Sequence, residues 1–312
     1  MTIETAESLL AHWLGSRRIL DVRPLDGGLM NRNYRFVLAD SPEKFVLRIF
    51  DRDPAACAKE AAVLTLVRDD VPAPEVLHIE PNGGEGFPPL LVLSFIDGVS
   101  LRDLKSRGDV RSIAEAAHDA GRVLARIARH AFDRSGLLTP TLEIDSGDFE
   151  GATICDMIDR FARSSVFRRR IDAELIRHLT AWTRASEEQF GVFPDAALVH
   201  GDFNSANIFV REERDRWVVA AILDWEFTFA GPVWCDIGNM LRYERRDRPR
   251  FEPYFSRGCI DGGLLLADDW RQRARLADLP ALCELLTRDA VPETVVDELR
   301  GLLAATVYSE GI

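Results

Sequence analysis

The stretch LVHGDFNSAN, Leu198 to Asn207, sets a His, an Asp and an Asn at short intervals directly behind an apolar run. Residues 196–199 read as a buried strand, and the polar residues after it as a loop whose side chains can meet a ligand. Further on, RWVVAAILDWE (Arg216 to Glu226) repeats the device, a strand-like run ending in an acid, Asp224. Two acids at strand ends, with Asn207 following the first, can supply oxygen ligands to Mg²⁺ and a group that orients a hydroxyl. Phosphoryl transfer needs that set, because its catalysis is positioning and neutralisation of phosphate charge. An isolated His-Gly-Asp is more often a turn in which Asp bonds its own backbone. The spacing to Asn207 and the later strand-end acid are what favour chemistry.

Outward from this stretch, the chain divides by pattern. Helical period covers 4–14, and ILDVRPL, NYRFVL and KFVLRIF read as three strands. PAACAKEAAVLTLVRDD reads as a helix with Pro54 in its first turn, and VPAPEVLHIE and PPLLVLSFI as two more strands around the turn NGGEG. The expected result is an antiparallel sheet of five strands with one main helix. Beyond Asp97 and Gly98 the spacing turns helical at 110–130, 153–167 and 172–190, with short strands at 196–199, 208–210 and 217–223 and helices again toward the end. The expected class is α+β, with a β-rich lobe over 1–97, a mostly helical lobe over 98–312, and 94–98 as connector.

Composition narrows the partners. The 312 residues are 46% hydrophobic and 29% charged, an ordinary globular balance, and the net charge of -12 argues against nucleic acid. The five cysteines are scattered and odd in number, without a C-x-x-C pair, which suits reduced thiols. The first residues carry acids where a signal peptide needs bases, and no apolar run is long enough to span a membrane. A cytoplasmic protein is expected, with no membrane association and no obligate protein partner.

His200-Gly201-Asp202 with Asn207, and the I-L-D-W-E of 222–226, resemble the catalytic and metal motifs of the aminoglycoside phosphotransferase family, small-molecule kinases with a bilobal protein-kinase-like fold. The resemblance continues in order through GGLMNRNYRFVL, FVLRIF, Glu60, LSFIDG and WCDIGNM, over most of 25–245. It implies ATP and Mg²⁺ as cofactors and a small-molecule hydroxyl acceptor. Asp202 would be the catalytic Asp, and Asn207 and Asp224 would hold Mg²⁺. His200 would brace the loop, and Asp236 would hydrogen-bond it from a helix. Gly27, Gly28 and the residues to Asn33 would cover the phosphates, Val46 would touch the adenine, and backbone groups of Ser94 and Ile96 would bond it. Arg48 stands where protein kinases place Lys; it would pair with a phosphate and with Glu60, with Lys44 a weaker substitute on the same strand face. Asp-Trp-Glu replaces Asp-Phe-Gly, which removes a regulatory hinge.

The acceptor first expected is an aminoglycoside-type antibiotic, which would make the chain a resistance enzyme. Choline or ethanolamine, homoserine, methylthioribose and macrolide kinases share the motifs, and a catalytically silent nucleotide-binding module is the reading from another class. A protein kinase fits poorly, since no A-P-E follows Asp224. Acids at Glu226, Asp261, Asp268, Asp269 and Glu284 could line a cleft for a polyamine sugar. FRRRID and LRYERRDRPRF read mainly as solvated faces paired with Glu244, Asp247 and Glu252, although the second could recognise an anionic group on the acceptor. GGEG reads as a turn, and the remaining histidines have no ligand-like spacing.

Overall fold

The computed structural model describes all residues except 26–30, 85, 146, 148–151, 192, 194–195, 245, 247, 290 and 309–312. Gly27 and Gly28 of the expected phosphate turn therefore lie outside the described residues, as does Asp247.

Thr2 accepts the Thr5 amide and starts α1 (Ile3–Leu9), and a break at Leu10 separates it from α2 (Ala11–Leu14), so the helical stretch 4–14 is two short helices. Ala6, Leu10 and Leu14 pack against Phe36, Leu47 and Val92 on one face of a five-stranded sheet. Its strands are β1 (Ile19–Pro24), β2 (Arg32–Leu38), β3 (Lys44–Ile49), and, beyond α3 (Pro54–Val67), β4 (Val76–Glu80) and β5 (Leu90–Ser94). They run antiparallel in the order β1-β2-β3-β5-β4. Asp53 caps α3 and Pro54 opens it. Strand alternation decides what the sheet offers on each side: Phe45, Leu47 and Ile49 of β3 face the terminal helices, whereas Val46 and Arg48 face the side of α3.

After residues 95–98 the chain leaves this sheet. Strand β6 (Val99–Ser100) pairs with β9 (Ile208–Glu213), which pairs with β10 (Arg216–Ile222). Ser100 caps α4 (Leu101–Ser106), and Asp109 caps the long α5 (Val110–Ile127). A small sheet joins β7 (Gly136–Leu137), β11 (Phe229–Gly231) and β8 (Ala197–Val199). The expected helix at 153–167 divides into α6 (Ile154–Arg163) and α7 (Ser165–Arg170), because Ser164 is extended and caps the second. These pack with α8 (Ala173–Phe190), α11 (Trp270–Leu285) and α12 (Glu293–Val307) around Ile158, Leu179, Leu279 and Leu303. A second core joins α5, α9 (Trp234–Leu241) and α10 (Tyr254–Asp261) to the underside of the large sheet through Leu124, Ile237, Phe255 and Leu91. Among the described residues no helix is long and apolar enough to cross a membrane.

Candidate active site

Strand β8 ends at Val199 and delivers His200, Gly201 and Asp202 to a loop held from below by α9. The buried Asp236 carboxylate accepts the His200 amide at 2.8 Å and the Gly201 amide at 3.0 Å. Burial pushes this carboxyl up to about 7, against the two amide donors. Gly201 has φ +80°, and a Cβ there would stand 2.4 Å from the Phe227 carbonyl oxygen, so only glycine lets the loop lie against the turn after Asp224. The His200 ring accepts the Asp202 amide at Nδ1 (3.2 Å), which leaves Nε2–H to donate to the Leu223 carbonyl at 3.0 Å. Burial lowers its pKa, so the ring is neutral. Tilted against Trp225 with ring centroids 4.6 Å apart, it ties the loop to the end of β10. Phe203, fully buried against Phe255, anchors the loop on its far side.

The Asp202 carboxylate is oriented by two amides, Asn204 Nδ2 on Oδ1 and Asn207 Nδ2 on Oδ2, both at 2.7 Å. Since Asn207 gives its NH₂ to Asp202, its Oδ1 is the side-chain atom left to meet a cation. The Asn207 carbonyl accepts the Leu223 amide at 2.9 Å, which sets Asp224 beside it. Asp224 itself adopts a left-handed conformation, φ 69°, uncommon outside glycine and concentrated at functional sites. Asp202, Asn207 and Asp224 are thus brought together from two separated strand ends. Asn204 was invisible to the motif, although a side-chain amide two residues after a loop Asp is a known turn former.

From the sheet above, buried Arg48 reaches the same place. Its Nε lies 3.2 Å from Glu60 Oε2, its Nη2 bonds Asp224, and Glu226 Oε1 is 4.0 Å away. Neither Arg48 Nε nor Glu60 Oε2 makes a hydrogen bond, so that contact is one of charge rather than geometry. Burial pushes the Glu60 carboxyl up to about 7, with Arg48 opposing. Burial disfavours the Arg48 charge in turn, yet Glu60, Asp224 and Glu226 hold it. The expected Arg48–Glu60 pair is present, and the link to Asp224 is additional. Glu226 is not a cleft acid: it is buried and accepts Asn31 Nδ2 at 2.8 Å.

The other expected nucleotide groups occupy this side of the sheet. Asn33 pairs with Arg48 in register and has a buried, unpartnered Oδ1; Val46 packs toward α3. Ser94 gives its amide to the Glu75 carbonyl and accepts the Glu75 amide at Oγ, so its N–H belongs to the sheet, whereas the Ile96 N–H has no backbone partner among the described residues. Lys44 pairs with Asp97 at the strand's far end and does not reach the Arg48 cluster.

The remaining acids do not converge. Asp261 bonds His118, Asp269 bonds Arg273 and Glu284 bonds Arg288. Glu244, expected to pair with neighbouring arginines, instead accepts two backbone amides and faces Lys105, and Arg170 of the first Arg-rich stretch donates to the Leu286 and Arg288 carbonyls after α11.

Several comparisons bear on this arrangement. The solved structure of aminoglycoside phosphotransferase APH(4)-Ia is similar over 98% of each chain, at 19% identity and a TM-score of 0.73. A thermostable mutant of that protein, in ternary complex with ADP and hygromycin B, matches at 18% identity and a TM-score of 0.69 over 97% of this chain and 98% of the other. A mutant aminoglycoside 2'-phosphotransferase-IIIa in complex with GDP matches at 15% and 0.72, over 98% and 97%. At these identities the likeness shows the fold, the bilobal protein-kinase-like α+β architecture. No curated protein matches. The sequence model of the APH phosphotransferase enzyme family matches residues 21–276, and the chain belongs to that family.

Proposed function

We propose that the chain transfers the γ-phosphoryl group of ATP, with Mg²⁺, to a hydroxyl of a small molecule. The observation that carries this reading is the Asp202 carboxylate, fixed by the Asn204 and Asn207 amides and tied to Asp224 through the Asn207–Leu223 bond. Residues 1–97 form the nucleotide-binding lobe and 98–312 the catalytic and acceptor-binding lobe. Val46 and the backbone at Ser94 and Ile96 meet the adenine, Gly27, Gly28 and Asn33 cover the phosphates, and Arg48, positioned by Glu60, pairs with one of them.

Asn207 Oδ1 and the Asp224 carboxylate are hard oxygen donors that suit Mg²⁺, which when bound neutralises charge on the phosphate oxygens. Asp202 aligns the acceptor hydroxyl. Its oxygen bonds to the γ-phosphorus as the bond to the β,γ-bridging oxygen breaks; ADP leaves with that electron pair, and the proton passes to Asp202 and on to solvent. His200 and Asp236 act by positioning, holding the loop backbone from both sides. The protein acts in the cytoplasm, and family precedent puts aminoglycoside-type antibiotics first among acceptors. The test is ADP release across aminoglycosides, macrolides, amino alcohols and sugars. Release with an acceptor, lost in Asp202→Ala, supports a kinase, while nucleotide binding without release under any acceptor would mark a silent binding module.

A further inference from the structure

A cavity of about 340 Å³ opens between α9, the loop that follows it, α11 and α12. Its floor is apolar, formed by Trp270, Leu282 and Leu302, and its rim is ionic. In the wall, Arg242 donates from Nε and Nη2 to both oxygens of Asp278, at 2.9 and 2.6 Å. Arg271 pairs with Glu252, and Glu244 faces Lys105 at 3.7 Å. Each lining carboxylate thus has a cation opposite it. Arg246 and Arg250 are left over: both are exposed at the rim and make no side-chain hydrogen bond or ion pair among the described residues. Arg246 lies across the α12 side, close enough that a Cβ on Gly301 would stand 2.6 Å from its Nη2. In a chain of net charge -12, this cavity gathers surplus guanidinium groups.

The cavity is linked to the reactive loop through α9. It is walled by the end of α9 whose start, Asp236, holds His200 and Gly201. Burial opposes the charge on Arg242, but Asp278 and, at longer range, Asp202 hold it, which puts the wall within electrostatic reach of Asp202. A larger cavity of about 500 Å³ reaches Gly201 and Phe227 themselves, yet its lining Glu284 and Arg288 satisfy each other.

We propose that the smaller cavity takes the hydroxyl acceptor, and that Arg246 and Arg250 select one bearing an anionic group, a carboxylate or a phosphate. This rests on the phosphotransferase reading and names an acceptor class that departs from the aminoglycosides which family precedent puts first. Two planar forks of donors at one mouth match either anion and repel a polyamine. The Glu252 Oε1, buried and without a donor among the described residues, can accept a hydroxyl of the same molecule.

Titration of AMP-PNP with Mg²⁺ into the full chain tests the nucleotide reading by itself. Gluconate, glucose 6-phosphate, glucose and hygromycin B are then titrated into the same protein. One of the two anions should bind roughly 10-fold or more tighter than glucose, as a charge-assisted pair implies, with hygromycin B weakest. The two anionic arms distinguish carboxylate from phosphate. The paired substitution Arg246→Glu with Arg250→Glu should reverse the order of anions and hygromycin B, and Arg246→Lys with Arg250→Lys should keep it. The proposal is overturned by hygromycin B outbinding both anions, by neither anion outbinding glucose, or by an anion preference that survives the Glu pair. Failure of AMP-PNP to bind instead removes the phosphotransferase reading, and the acceptor assignment with it, whatever the anions do.

Discussion

Asp202 works through its neighbours, and substitutions separate chemistry from scaffolding. On the proposed mechanism, Asp202→Ala removes the group that would face the acceptor hydroxyl from a half-buried position, so turnover should fall by about 10²- to 10⁴-fold or more while the unfolding midpoint moves little; ADP release and thermal melts check both. Gly201→Ala should behave oppositely. Its φ of +80° and the 2.4 Å approach to the Phe227 oxygen make the alanine strained in two ways, and a loss of roughly 2 kcal/mol or more in urea unfolding is expected. Glu60 carries a pH signature. Its carboxyl titrates near 4.5 when unfolded and is pushed up to about 7 in the fold, by burial first. Between those values the folded chain holds a proton that the unfolded chain has lost, so this group's contribution is full below pH 4.5 and is lost as pH rises through 7. The nucleotide-free protein should therefore lose up to about 1.4 kcal/mol per pH unit from this source, and Glu60→Gln should flatten that slope. His200 runs the other way: its pKa is lowered, so its contribution is present above 6.5 and lost as pH falls. Equal slopes in the two proteins would remove Glu60 as the source.

Among elements, α9 matters most to the site, because one carboxylate at its start holds two consecutive amides of the loop. Asp236→Asn turns one acceptor into a donor facing an N–H, which should cost about 1–3 kcal/mol of stability and lower turnover without a matching change in AMP-PNP affinity. The long elements are legible in the sequence, since strand alternation and helical spacing repeat often enough in 44–50, 110–127 and 173–190 to be read, whereas the helix bearing Asp236 is expected from the family resemblance. Two- and three-residue strands such as 136–137 and 229–231 offer no period, and the split at Ser164 depends on one extended residue inside an unbroken amphipathic pattern. The site divides along the same line. Asp202, Asn207, Asp224 and Asp236 stand at strand or helix ends in a readable order, whereas Asn31 meets Glu226 across 195 residues, a pairing that only packing reveals. The same holds for Arg246 and Arg250, which look like a solvated face until α12 closes the cavity beside them.

At the scale of the molecule, the two lobes share an apolar core and, at the site, also meet through charge. Arg48 and Glu60 come from β3 and α3, and the groups they face, Asp224 and Glu226, follow β10. A ligand seated among these side chains contacts both lobes, so its binding energy should appear as stability of the whole chain rather than of one half. At a nucleotide concentration 100-fold above its dissociation constant the gain is about 2.7 kcal/mol. In a chain of this size that raises the unfolding midpoint by several degrees, as one transition if the lobes unfold together. On the proposed assignment, Asn207 and Asp224 would set the metal dependence. Stripping Mg²⁺ with EDTA should remove most of the shift produced by AMP-PNP, and Asp224→Ala should remove it even with the metal present, because the cation would then lose its carboxylate while Arg48 loses one of its three acidic partners. Calorimetric scans of the chain with AMP-PNP, with and without Mg²⁺, decide the matter. The same upward shift in EDTA would mean that the nucleotide is held without the two strand-end oxygens, and the assignment of Asn207 and Asp224 to the metal would fall.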